Sequence, residues 1–125
     1  MKMNEIIQKR FKWVEYKGAE ILLNDYSNLT GENFIETLQV LTEHFLKQEK
    51  KDILLLLDVR NSYSNKEIIE ALNKASKRIK PFVKKSAVIG VTGVKKILLN
   101  VINKVSSLGA NPFSSEEDAK EWLVS

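Results

Sequence analysis

Ile53-Leu-Leu-Leu-Leu-Asp-Val-Arg-Asn61 is the stretch on which the fold turns. Its apolar run ends at Leu57 and is unbroken between Asp52 and Asp58. A helix buried on all sides needs roughly 10–12 residues, so a run this short fits a central strand covered on both faces. Polar residues follow at once, as where a strand hands its C-terminal end to a loop.

Upstream, Phe11-Lys-Trp-Val-Glu-Tyr16 and Ala19-Glu-Ile-Leu-Leu-Asn-Asp25 are rich in aromatic and aliphatic residues and flank Lys17-Gly18. That pattern predicts two strands joined by a tight hairpin turn. Thr30 then reads as an N-cap for a helix to about Lys50, with Phe34, Leu38, Leu41 and Phe45 at helical spacing. Downstream, Ser64-Asn-Lys-Glu67 reads as a capping box opening a helix with Ile68, Ile69, Leu72, Ala75 and Ile79 inward. Pro81 disfavours helical geometry in the residue before it, which ends this helix near Lys80.

Ser86-Ala-Val-Ile-Gly90 predicts a second buried strand, and a helix follows from about Gly93 to Val105 with Gly109 as its stop. Pro112-Phe113 is at most a short edge strand, because proline cannot donate to a ladder. Ser114-Ser-Glu-Glu117 reads as another capping box, leading into a last helix anchored by Trp122 and Leu123. Strands alternating with helices after a hairpin predict an α/β fold: one domain over residues 1–125, a mostly parallel sheet of four to five strands with an N-terminal antiparallel hairpin, and four helices.

The 125 residues leave room for one core, and an apolar fraction of 43% beside a charged fraction of 29% is that of a folded globular chain. Cysteine is absent, which excludes disulfides, thiolate metal sites and cysteine nucleophiles, and leans towards a reducing cytoplasm. Lys95, Lys96 and Lys104 interrupt the longest apolar stretch, so no bilayer span is expected. The net charge of +4 is uneven: no Asp or Glu lies between Ala71 and Ser115, while Lys74, Lys77, Arg78, Lys80, Lys84, Lys85 and the three lysines just named do. This can mark an anionic partner or a set of solvated helix faces. Aromatic residues are not interleaved with the basic ones, which argues against nucleic acid.

In open α/β sheets ligands sit where strands deliver their C-terminal ends to helix N-termini. Here those places are Asp25 to Gly31, Asp58 to Ser64 and Gly90 to Lys95. The second offers a carboxylate (Asp58), a guanidinium (Arg60), an amide (Asn61) and the hydroxyls of Ser62, Tyr63 and Ser64. Asp58 could serve as a base or an anchor and Arg60 as an anion clamp. Each residue also has an ordinary local use, in ending a strand, making a turn or capping a helix. In the third, Thr92, Gly93 and Lys95 stand at a strand-to-helix junction whose amides suit a phosphate or carboxylate, though without the spacing of a phosphate loop. His44 is the single histidine and has no second histidine to pair with on a metal.

Three segments carry a family resemblance: Ile53 to Asn61, the run Ala87-Val-Ile-Gly-Val-Thr-Gly93, and the ending Pro112 to Leu123. On these the chain resembles the SpoIIAA-like proteins, relatives of the STAS domains of sulphate transporters and anti-sigma factor antagonists. The resemblance implies a βα superhelix acting as a non-catalytic binding or regulatory module. Anti-sigma antagonists carry a phosphorylated Asp-Ser-Ser/Thr-Gly motif at the corresponding helix start. Asn61-Ser-Tyr-Ser-Asn-Lys-Glu67 lacks it, leaving Ser62 and Ser64 as the nearest hydroxyls for such a switch. Other proteins of this kind look like binders of small or hydrophobic ligands, akin to CRAL-TRIO lipid domains.

The expected working face is therefore Asp58, Arg60, Asn61, Ser62 and Ser64 with Thr92, Gly93 and Lys95, binding a small anionic or hydrophobic ligand or a protein partner without metal or cofactor. Self-association into a homodimer through an exposed sheet face or edge is a further expectation. The competing reading is a small hydrolase or transferase using Asp58 with a nearby hydroxyl.

Overall fold

The computed structural model of the chain describes residues 2–63, 65–91 and 109–125. Strands β1 (Phe11–Tyr16), β2 (Ala19–Asp25), β3 (Ile53–Asp58), β4 (Val83–Ile89) and β5 (Asn111–Phe113) form one sheet in the spatial order of their sequence. The first pair is antiparallel and every other pair is parallel. Among the described residues there are four α-helices: α1 (Lys2–Arg10), α2 (Gly31–Lys47), α3 (Lys66–Ile79) and α4 (Glu116–Val124). The α/β fold with its hairpin and parallel sheet is thus as expected. The helix expected from Gly93 to Val105 lies outside the described residues.

Lys17 and Gly18 both take positive φ, at 51° and 83°, the geometry of the two-residue turn whose twist matches the flanking strands. Each parallel step from β2 to β3 and from β3 to β4 moves the same way across the sheet. Right-handed crossovers in one direction put their helices on one face. Accordingly Phe34, Leu38, Leu41 and Phe45 of α2 share a core with Ile68 and Ile79 of α3, over Leu22 and Leu55. On the opposite face Ala119 and Leu123 of α4 cover Ile21, Leu56, Ala87 and Ile89. Leu55 and Leu56 point to opposite faces, and both are fully buried, as a doubly covered β3 requires.

Helix α1 was not expected. Lys-Met-Asn-Glu-Ile-Ile-Gln-Lys-Arg has only the adjacent pair Ile6 and Ile7 to bury, which leaves no helical stripe to read. Both capping boxes shift by one residue. Asn65, not Ser64, caps α3 by accepting from the Ile68 amide, and Ser115, not Ser114, caps α4 by accepting from the Asp118 amide. Each box holds two adjacent residues of near-equal capping preference, so residue type alone could not choose between them. Thr30 occupies the N-cap of α2 in extended geometry without a side-chain bond, and α2 ends at Lys47 rather than Lys50, with Glu49 turning to φ 51°. Helix α3 stops at Ile79, and Pro81 sits in the 3-10 turn Lys80–Phe82 that follows.

Helix α4 is too short to hold itself and depends on its contacts. Glu121 accepts from the Tyr16 hydroxyl and pairs with Lys17, while Lys85 donates to the Trp122 carbonyl at 2.8 Å and lies 4.7 Å above the Trp122 ring. Hydrogen bonds from Lys17 and Tyr16 hold the Glu121 carboxyl below its ordinary value. The sign follows: a lowered folded-state value contributes stability above the unfolded value and loses it as pH falls through the folded one. Trp122 fluorescence on acidification, in a Trp13→Phe background, is therefore expected to report loosening of α4 below the usual glutamate range. Glu121→Gln removes that acid-side transition; a transition that survives the substitution would assign it to another group.

Candidate functional site

The loops after β2 and β3 and the end of β4 are joined into a rim by backbone hydrogen bonds. The Tyr26 amide donates to the Asp58 carbonyl at 2.7 Å and the Asn28 amide to the Arg60 carbonyl at 2.9 Å. The Tyr63 amide reaches the Leu29 carbonyl at 3.3 Å, and the Val59 amide reaches the Ile89 carbonyl at 2.9 Å. The parallel register continues past the strand ends, so the loops lie side by side. Asn28 and Asn61 take positive φ, a conformation that asparagine tolerates better than most residues.

Asp58 ends β3 with only 4% of its surface exposed. Its Oδ1 accepts the Arg60 amide and the Arg60 Nε, each at 3.0 Å, and its Oδ2 accepts the second guanidinium nitrogen at 2.7 Å. A fork-to-fork pair plus a backbone bond fixes both residues in one geometry. Hydrogen bonding to Asp58, then its charge, raises the Arg60 guanidinium above its ordinary value, and Glu116 and Asp25 add to this. The Arg60 side chain nevertheless stays 56% exposed. Asp25 repeats the motif one strand away: its Oδ1 accepts the Ser27 amide at 2.8 Å.

Gly90 approaches this loop closely. A Cβ on it would meet the Arg60 nitrogen at 2.5 Å and the Arg60 Cα and Cγ at 2.7 Å, and its φ of 93° is one that side-chain-bearing residues rarely adopt. A glycine here lets the second and third loops touch.

The other expected site residues divide. Asn61 is exposed at the turn. Ser62 is 4% exposed, and its hydroxyl donates to the Val59 carbonyl at 2.7 Å, an internal turn bond. Ser64, Thr92, Gly93 and Lys95 lie outside the described residues. Sequence reasoning passed over Tyr63 as one hydroxyl among three, yet it is 72% exposed in the same loop as Arg60. It also missed Arg10, whose guanidinium donates to the Asp25 and Ser27 carbonyls at 3.0 Å each. The signal was the hairpin register: with Tyr16 opposite Ala19 and Phe11 opposite Asn24, the residue before Phe11 falls beside Asp25.

The basic stretch does not form one patch among the described residues. Arg78 pairs with Glu43 of α2 at 2.7 Å on one face of the sheet, whereas Lys85 engages α4 on the other. Between α2, α3 and the sheet runs a narrow crevice of about 40 Å³, lined mainly by apolar residues with Asn24, Thr42 and Ser76 among them. The Asn24 Oδ1 is buried there with no hydrogen-bond partner. An open groove of about 430 Å³ lies along α2 and α3, between Glu32, Glu36 and Glu67. No group of three or more metal-ligating side chains occurs among the described residues, and no helix among them is long and apolar enough to cross a membrane.

A family model described as SpoIIAA-like matches residues 25–124. The crystal structure of an uncharacterised protein of the DUF3478 family from Shewanella loihica PV-4, with a SpoIIAA-like fold, is similar to this chain at a TM-score of 0.67. The two are 17% identical, and the likeness covers 90% of this chain and 91% of that one. At that identity the likeness shows the fold alone. No curated protein matches.

Proposed function

The chain belongs to the SpoIIAA-like family, and from that premise we propose that it is a non-catalytic binding module that engages a protein partner through the rim at Asp58 to Tyr63. The observation that carries this reading is a fixed loop presenting exposed groups: Arg60 locked on buried Asp58, with Tyr63, 72% exposed, in the same loop. An arginine already held in a set geometry binds with little ordering cost, and tyrosine and arginine dominate interface energetics. The partner would bring an apolar pocket for Tyr63 and acceptors for the guanidinium protons that Asp58 leaves free.

The other readings draw less support. A small anion would find Arg60 already neutralised by Asp58 and near Glu116 and Asp25. Among the described residues, the apolar crevice between α2, α3 and the sheet is about 40 Å³, where drug-sized sites are roughly 300–1,000 Å³, so that crevice gives a hydrophobic ligand little support. A hydrolase needs a nucleophile with a base in reach. Asp58 is occupied on both oxygens, and the Ser62 proton lies on the Val59 carbonyl. The same bond and burial give a phosphorylation switch at Ser62 no support.

The test is to recover the tagged chain and its Tyr63→Ala variant in parallel from the cells that produce it. A stoichiometric protein partner is expected with the first and at least a tenfold loss with the second, at an unchanged melting temperature. Equal recovery by both would remove the rim from the interface.

A further inference from the structure

The rim's first loop is held from outside the family-matched span. Arg10, the last residue of α1, donates to the carbonyls of Asp25 and Ser27 at 3.0 Å each and lies 3.7 Å from the Asp25 carboxylate. Its side chain is only 24% exposed. The matched residues begin at Asp25, so α1 and Arg10 precede them. Through the amides of Tyr26 and Asn28, the loop that Arg10 grips is bonded to the carbonyls of Asp58 and Arg60. A continuous set of hydrogen bonds therefore runs from α1 to the second loop.

Helix α1 itself is weakly held. It has nine residues, too few to persist alone in water. Its apolar contribution is the half-buried pair Ile6 and Ile7, set against the larger helical core. Elements with few buried contacts open at low free energy. A loop clipped by such an element inherits its openings.

We propose that Arg10 is a positioning residue that makes the order of the rim's first loop depend on the docking of α1. This rests on the reading of the rim as the working face, but its measurement does not. Bonds from a charged donor to carbonyls are stronger than neutral ones, and Arg10 supplies two to one loop. When α1 undocks, Phe11 stays paired opposite Asn24, but Arg10 loses the helical turn that aims its guanidinium; both bonds weaken together, and the Ser27–Asn28 turn loosens while β3 stays intact. Anything that binds α1 would then alter the rim, and a partner on the rim would tighten α1 by the same factor.

Amide hydrogen exchange of the free, full-length chain tests this residue by residue. Arg10→Met keeps the aliphatic body and removes the donors. It is expected to speed exchange at Ser27 and Asn28 by about tenfold to hundredfold, leaving Leu55 and Leu56 unchanged. Arg10→Lys restores part of the protection, and the double substitution Ile6→Ala, Ile7→Ala reproduces the loosening with Arg10 present. Unchanged exchange at the first loop in either the Arg10→Met or the helix variant overturns the proposal. So does acceleration spread evenly over the sheet, which would make Arg10 a contributor to global stability only. Because no partner takes part, failure here leaves the binding reading standing, and the two failures are read from different measurements.

Discussion

Gly90→Ala is expected to destabilise the chain by about 3–5 kcal/mol and to lower its melting temperature by about 10 °C or more. Two costs add. The backbone at Gly90 has a φ of 93°, where an alanine is strained by about 1–3 kcal/mol. The new methyl also lies 2.5–2.7 Å from Arg60, two of the three contacts being backbone atoms that cannot rotate away. Either β4 retreats from the Asp58 loop or the loop shifts off β4, and the 2.9 Å bond from the Val59 amide to the Ile89 carbonyl opposes both. Gly18 gives the internal control, since its φ is 83° but nothing lies within 4 Å of its added Cβ. Gly18→Ala should therefore show backbone strain alone, about 1–2 kcal/mol. Equal losses at the two positions, by thermal or urea unfolding, would mean that Gly90 does not press on Arg60.

Asp58→Ala comes next, at roughly 2–3 kcal/mol. The substitution removes the acceptor of three hydrogen bonds from Arg60, one from its backbone and two from its guanidinium. Breaking a fully buried pair costs about 3–5 kcal/mol because a charge is stranded. Here the freed guanidinium is 56% exposed and can turn to water, which lowers the loss. Asp58→Asn keeps one oxygen for the Arg60 amide and Nε and is expected to lose about half as much. Urea midpoints at constant m-value separate the two substitutions. An alanine variant as stable as the parent would mean that the turn does not depend on the carboxylate.

Much of the sheet could be read from the chain because its elements carry their own periodicity. Ile53 to Leu57 announces a doubly covered strand, Lys17-Gly18 a hairpin, and Phe34 to Phe45 a helix stripe. Helix α1 could not be read, since a polar segment with one adjacent isoleucine pair has no stripe and docks through tertiary contacts. The candidate site divides along the same line. That Asp58 and Arg60 stand where a strand hands over to a loop follows from order alone. Their mutual locking does not, because Asp58 was free, as far as sequence tells, to face solvent or a ligand. Ser62 illustrates the opposite error: a hydroxyl in a polar loop looks available until its burial and its bond to Val59 are known. The contact of Gly90 with Arg60 joins residues far apart in the chain, whereas that of Arg10 with Asp25 follows from the hairpin register once Phe11 is set opposite Asn24.

Native mass spectrometry of the gently purified chain, beside the denatured mass of the same sample, tests the binding role most directly. The predicted result is a second protein bound in the native spectrum and absent from the chain's denatured mass, with Tyr63→Ala abolishing the bound species. A bare monomer in both spectra, a small-molecule adduct, or a covalent phosphate on the denatured chain would contradict it.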